Sequence, residues 1–224
     1  MVKLLLDAGA DVNAQVGRYN ALAAASGRGY ESVVKLLLDA GADINAQALA
    51  AASSGCHESV VKLLLHAGAD INAQVGEYNA LTAASSGCHE SVVKLLLHAG
   101  ADINARALAA ALGGGHESVV KMLLDAGADI NAQALVAASG GGRESVVKLL
   151  LNLGADVNAQ SGYYGNALME ASAVGCVWVV EVLLGAGADV DVEGDHGTAL
   201  QIASDRSHES VVRLLLEAGA KPLS

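Results

Sequence analysis

The sequence predicts an all-α array of short helix pairs stacked side by side, and three observations carry that prediction. The tripeptide Gly-Ala-Asp recurs at Gly9, Gly41, Gly68, Gly100, Gly127, Gly154 and Gly187, with Gly219-Ala220-Lys221 as a last variant. Its spacings are 32, 27, 32, 27, 27, 33 and 32 residues, the period of a repeat architecture. Residues Ser53 to Ala73 and Ser85 to Ala105 are identical over 21 positions. Finally, each unit holds a segment such as Glu58-Ser59-Val60-Val61-Lys62-Leu63-Leu64-Leu65, with apolar residues at helical spacing. It stops at Gly68, a residue suited to the left-handed position that follows a helix.

The other helix of each pair is short and alanine-rich, as in Ala48-Leu49-Ala50-Ala51-Ala52. Alanine favours helix and lets neighbouring backbones approach closely. One such pair cannot bury its own apolar side, so stability has to come from stacking on the next. A glutamate stands four residues before a base in six units: Glu31/Lys35, Glu58/Lys62, Glu90/Lys94, Glu117/Lys121, Glu144/Lys148 and Glu209/Arg213. That order is the favoured one on a helix, and the charges are expected on a solvated outer face.

Composition narrows the function classes. Hydrophobic residues make up 53% of the 224 and are mainly Ala, Leu and Val, with one Pro and no Phe. Such side chains fill thin layers between close-packed helices. The balance of 13 basic against 24 acidic residues, a net charge of −11, repels phosphate backbones. It excludes general nucleic-acid binding and favours a basic partner. No stretch approaches the ~18 uncharged apolar residues of a membrane span, and Asp7 interrupts the N-terminal apolar run before a signal peptide can develop. Cys56, Cys88 and Cys176 are odd in number and sparse, unlike a disulfide framework, so a reducing, cytoplasmic location is expected.

The period, the paired helices and the phrase Gly187-Ala188-Asp189-Val190 resemble the ankyrin repeat family over essentially the whole chain. The fold implied is an ankyrin-type solenoid forming a single array over residues 1–224. A partial repeat covers 1–11; full repeats follow at about 12–43, 44–70, 71–102, 103–129, 130–156, 157–189 and 190–220. The family's Thr-Pro-Leu-His signature is absent. Asn20-Ala21-Leu22, Asn79-Ala80-Leu81, Asn166-Ala167-Leu168 and Thr198-Ala199-Leu200 stand in its place. That variant, with Gly-Ala-Asp-Val-Asn-Ala-Gln between units, is similar to long ankyrin arrays of fungal receptor-like proteins, where such arrays serve as recognition segments.

The resemblance also implies a β-hairpin finger in the long connections. Short units have about five residues fewer, too little chain for two paired strands and a turn. Fingers are therefore expected only in the longer repeats, at about 12–20, 71–79, 157–166 and 190–197, with tight turns near 44–47, 103–106 and 130–133.

Candidate partner-binding residues follow from this layout. The fingers carry Tyr19, Tyr78, Tyr163 and Tyr164, residues that offer contact area at low entropic cost. Arg18 and Glu77 occupy equivalent tips with opposite sign. On the first helices one position reads Ala24, Ala51, Ala83, Ala110 and Ala137, then becomes Glu170 and Ile202, with Met169, Gln201 and Arg206 alongside. Trp178 takes the place of a serine, and His196 lies in the last finger. Residues 157–206 are thus expected to dominate recognition of a protein partner. A uniform alanine face in the central units instead suits a scaffold without a specific ligand. The ends leave apolar surface such as Val2, Leu4, Leu5 and Leu6, which fits self-association, a piece of a larger receptor, or an engineered array.

No catalytic, cofactor or metal constellation stands out. Cys56-His57 and Cys88-His89 supply zinc-type ligands, but duplication of one turn explains the pairing, and adjacent helical residues diverge by about 100°. His57, His89, His116 and His208 are expected to hydrogen-bond in the interhelical turns. Gly113-Gly114-Gly115-His116 and Gly140-Gly141-Gly142-Arg143 lack the Lys and Ser/Thr of a phosphate loop. Glu170, Cys176 and His196 have no nucleophile–base spacing, so the chain is expected to be non-enzymatic.

Overall fold

The structure, a computed structural model, describes residues 1–16, 19–130 and 132–222, and it leaves the side chains of Val16, Tyr19, Ala46, Ala105 and Ala132 undescribed. Arg18 and the Tyr19 ring therefore lie outside the described residues. The chain forms two compact units, Met1–Ala110 with Asp125–Gly127 and Ala111–Leu124 with Ala128–Ser224.

The first unit contains α1 (Val2–Asp7), β1 (Gln15–Val16), β2 (Tyr19–Asn20), α2 (Ala21–Ser26), α3 (Glu31–Asp39), α4 (Ala46–Ser54), α5 (Glu58–His66), α6 (Ala80–Ser86) and α7 (Glu90–His98). Helices α8 (Ala105–Gly114) and α9 (Glu117–Asp125) span the division. The second unit continues with α10 (Ala132–Gly140), α11 (Glu144–Asn152), α12 (Ala167–Val174), α13 (Val177–Gly185), β3 (Glu193–Gly194), β4 (Gly197–Thr198), α14 (Ala199–Asp205) and α15 (Glu209–Glu217). Within the first unit α2, α4 and α6 pack in one row and α3, α5 and α7 in another, each first helix also packing on its own second helix. The second unit repeats this with α10, α12, α14 and α11, α13, α15.

The amphipathic pattern explains the rows. Helix α5 buries Val60, Val61 and Leu64, and α7 buries Val92, Val93 and Leu96 at the equivalent positions. Each fully buried Val or Leu contributes roughly 1.5–3 kcal/mol. On the outer face Lys35 pairs with Glu31 (2.7 Å), Lys62 with Glu58 (2.5 Å) and Lys148 with Glu144 (2.6 Å). Hydrogen bonds from Lys35 and Lys62 hold the Glu31 and Glu58 carboxyls below their ordinary values.

Polar side chains pin successive turns together. The Nε2–H groups of His57, His89 and His208 donate to the carbonyls of Gly27 (3.2 Å), Ser54 (2.8 Å) and Ala173 (3.1 Å), each in the preceding repeat. Arg143 takes the same place and donates from Nε to Gly113 (2.8 Å). A methyl group added at Gly55 would stand 2.5 Å from the His57 ring, so the small residue makes room for the pin. The residue before each pin is left-handed. Glycine occupies it at Gly29, Gly115, Gly142 and Gly175, but Cys56 (φ 58°), Cys88 (φ 56°) and Ser207 (φ 59°) hold the same conformation.

Asparagine caps replace the missing signature. Asn20, Asn79 and Asn166 accept hydrogen bonds through Oδ1 from the backbone N–H of Ala23, Thr82 and Met169 (2.8, 2.8 and 2.9 Å). In two short repeats the asparagine of the interrepeat loop does this work itself: Asn45 caps α4 through Ala48 N–H (3.1 Å) and Asn104 caps α8 through Ala107 N–H (2.7 Å). In long repeats the same loop asparagine accepts from the next loop instead. Asn13, Asn72 and Asn158 take the N–H of Asp43, Asp102 and Asp189 at 2.8–2.9 Å. Deleting the finger thus moves one residue type from bridging to capping.

The long connections differ from expectation at one place. Strands β1 and β2 pair antiparallel, as do β3 and β4, and Val75 and Tyr78 form an isolated bridge. Residues 157–166 form no strand, and a bond from Ser161 N–H to the Gly165 carbonyl (2.8 Å) closes a bend instead. The connection is one residue longer than the other fingers, so Gly162, Tyr163 and Tyr164 span its tip, and Glu170 Oε1 accepts the backbone N–H groups of Tyr163 and Tyr164 there (3.0 and 3.1 Å). The short connections hold no strand among the described residues, and their helices begin at Ala46, Ala105 and Ala132.

Two outcomes of opposite sign follow for urea denaturation. Asn45→Ala removes a helix cap and lowers stability by about 0.5–2 kcal/mol. Cys56→Gly or Cys88→Gly relieves a left-handed non-glycine residue and raises stability by about 1 kcal/mol.

Candidate interaction surface

In the second unit, side chains from three separate stretches meet. Asn166 starts α12, which carries Glu170 on its first turn. The Glu170 carboxylate takes both tyrosine N–H groups, so it fixes the loop that presents Tyr163 and Tyr164. Gly162 (φ +84°) sits tightly beneath: a Cβ there would fall 2.4 Å from Val136 Cγ1 and 2.9 Å from Glu170 Oε1. The two rings meet edge to face with centroids 4.9 Å apart. His196, in the turn between β3 and β4, lies 4.4 Å from the Tyr163 ring at 30° and 5.3 Å from the Tyr164 ring. Arg206, from the turn after α14, donates from Nη2 to the Tyr164 hydroxyl and from Nη1 to the Ala173 carbonyl (3.4 Å). Its guanidinium carbon stands 5.4 Å from the Tyr164 ring centre, a cation–π distance. Tyr163 remains 70% exposed, so the cluster presents an aromatic surface to solvent.

Other expected contact residues land elsewhere. Met169 and Ile202, expected on the partner-facing surface, are 1% and 3% exposed. Correction is needed for both: each is an apolar side chain on the buried side of its helix and belongs to the core. Gln201 closes a capping box, its Oε1 accepting from Thr198 N–H (2.8 Å). Trp178 stands 65% exposed on α13, whose opposite side buries Val179, Val180 and Leu183. In the first unit Tyr78 is 59% exposed at its finger tip. Beside it, Glu77 pairs with Arg106 (3.5 Å) and accepts from that guanidinium at its own carbonyl (2.8 Å).

The first unit also holds an open groove of about 900 Å³ that sequence reasoning passed over, lined by Ala24, Ala51, Ala83, Gln47, Arg28 and Tyr78 among others. Its alanines belong to the uniform face of the first helices. Arg28 was legible as an outlier, because the turn position it fills is glycine at Gly55, Gly87, Gly114 and Gly141 and arginine again only at Arg206.

Glu170 is occupied by two backbone donors, and Cys176 points its thiol at the Gly142 carbonyl (3.9 Å). Among the described residues no group of His, Cys, Asp and Glu is placed to hold a metal ion, and no helix is long and apolar enough to cross a membrane.

Comparison with known proteins agrees with this architecture. A family model described as ankyrin repeats in three copies matches residues 45–107, 107–194 and 134–224, and the single ankyrin-repeat model matches 18–49. The chain belongs to the ankyrin-repeat family, and its fold is a helical solenoid of that type. The crystal structure of the human ASB11 ankyrin repeat domain is similar at a TM-score of 0.80 and 27% identity, covering 92% of this chain and 100% of that one. No curated protein matches, whereas 444 solved chains do, so the fold alone selects no particular partner.

Glu170→Ala removes two charge-assisted hydrogen bonds, each worth about 1.5–3 kcal/mol. Amide exchange of Tyr163 and Tyr164 accelerates roughly tenfold or more, while that of the α13 core stays unchanged.

Proposed function

We propose that the chain is a non-enzymatic protein-interaction module that recognises its partner mainly through the second unit, at the surface of Tyr163, Tyr164, His196 and Arg206. Ankyrin repeats are in general protein-interaction modules, and the proposal adds to this where and how. The observation that carries it is the fixing of two tyrosines by Glu170: an ordered, exposed aromatic surface loses little conformational entropy on binding. Exposed Trp178 on α13, together with Tyr78 and Glu77 in the first unit, extends the contact candidates. The acidic balance supports a basic partner over nucleic acid, and three free cysteines support a reducing, cytoplasmic setting. The similarity of the Asn-Ala-Leu variant to fungal receptor-like arrays supports a recognition segment of that kind.

A scaffold role, with self-association in place of a specific ligand, is the second reading. Ala24, Ala51, Ala83, Ala110 and Ala137 favour it, since one repeated small residue offers nothing individual to read.

The test is capture from cell extract with the wild-type chain and with the Tyr163→Ala/Tyr164→Ala double variant. Both rings project from a loop outside the helices, so the variant keeps the wild-type circular dichroism. It loses the specific partner, with binding falling by tenfold or more, as for aromatic hot spots worth about 2 kcal/mol or more. Equal capture by both chains defeats the proposal.

A further inference from the structure

The module reading leaves the partner's chemistry at the Tyr163 surface unspecified, and the charges around that surface select one. Residues 157–206 contain seven Asp and Glu but a single Lys or Arg, Arg206. That guanidinium is already engaged by the Tyr164 hydroxyl, the Ala173 carbonyl and the Tyr164 ring. Asp191 is answered by Lys221, whose ammonium stands 3.3 Å away and whose backbone N–H holds the carboxyl below its ordinary value. Glu193 and Asp195, in the same finger as His196, and Asp205, next to Arg206, are exposed. No ion pair closes on these three among the described residues.

Acidity alone does not distinguish this place, because the Gly-Ala-Asp loops line up exposed aspartates throughout the chain. The rings do. An aromatic face carries negative potential and attracts ammonium and guanidinium groups. Tyr163 is 70% exposed, and its ring is held by His196 at 4.4 Å and Tyr164 at 4.9 Å. Glu170 fixes the backbone beneath it before any partner arrives.

We propose that this surface seats Lys or Arg side chains of a basic, extended segment of a protein partner, the cation lying on Tyr163 with Glu193 and Asp195 supplying the counter-charge. The proposal rests on the interaction-module reading and adds the partner's chemistry to it. The aliphatic stem of Lys or Arg packs against the rings while its head stays among the carboxylates. An acidic segment drawn to Arg206, or an apolar segment laid on the tyrosines, would be the competing occupant.

Fluorescence anisotropy with the full chain separates these. Short labelled peptides alternating Gly with Arg, Lys, Glu or Leu serve as probes. The Arg and Lys peptides bind, and added salt weakens them. Tyr163→Leu, which keeps an apolar side chain but removes the π-face, weakens them roughly twofold to thirtyfold. Tyr163→Phe, which keeps the π-face, rescues the binding that Tyr163→Leu loses. The chemistry is overturned if the Glu or Leu peptide binds as tightly as the Arg peptide, if none binds, or if Tyr163→Leu has no effect. A protein partner that needs Tyr163 and Tyr164 but is not displaced by the Arg peptide overturns the cationic seat and leaves the module standing. A chain with no tyrosine-dependent partner overturns the module reading itself.

Discussion

A helix pair of this size has one apolar side and nothing of its own to cover it, so every repeat is folded by its neighbour. Val60, Val61 and Leu64 of α5 lose their water because α3 and α7, together with the first helix α4, stand beside them. The polar contacts obey the same rule. His57, His89, His208 and Arg143 each reach a carbonyl in the preceding repeat, and Asn13, Asn72 and Asn158 each reach an N–H in the following one. Satisfying a buried or crowded backbone group through the adjacent copy makes the repeat period itself a structural requirement.

That requirement explains where the sequence varies and where it does not. Second helices keep one pattern because each packs on its neighbouring second helices and on its own first helix. The finger is free to vary, since its removal costs no stacking contact provided that a cap remains, and the loop asparagine supplies one at Asn45 and Asn104. At residues 157–166 a different economy applies. One glutamate, at the place of Ala24 and Ala83, holds two backbone N–H groups at the tip of a connection one residue longer than the others and makes it an anchored loop. Individual chemistry enters this repeat family at positions released from stacking.

How far such positions are legible depends on whether their effect is local. Tyr163, Tyr164, Glu170, His196 and Arg206 all stood out as departures from the repeat, and all five take part in the second-unit cluster. Met169 and Ile202 stood out equally and proved to be core. In a short helix the identity of a side chain does not say which side of the first turn faces its neighbours. Arg28 lies in a turn, outside the helical pattern, at the position that Arg206 fills in the last repeat. The connection at 157–166 forms no strand: it is one residue longer than the other fingers, and a carboxylate six and seven residues away anchors its tip.

The sequence by itself determined the period, through the recurrence of Gly-Ala-Asp, and the amphipathic second helices with their left-handed glycine stops, which depend on residues within one or two turns of one another. Tertiary structure decided which outlying residues meet. Tyr163 lies 33 residues from His196, and Tyr164 lies 42 from Arg206. Those separations are about one repeat, so stacking places the residues on adjacent layers, and only the packed arrangement fixes the angles and distances at which their rings and charges face one another.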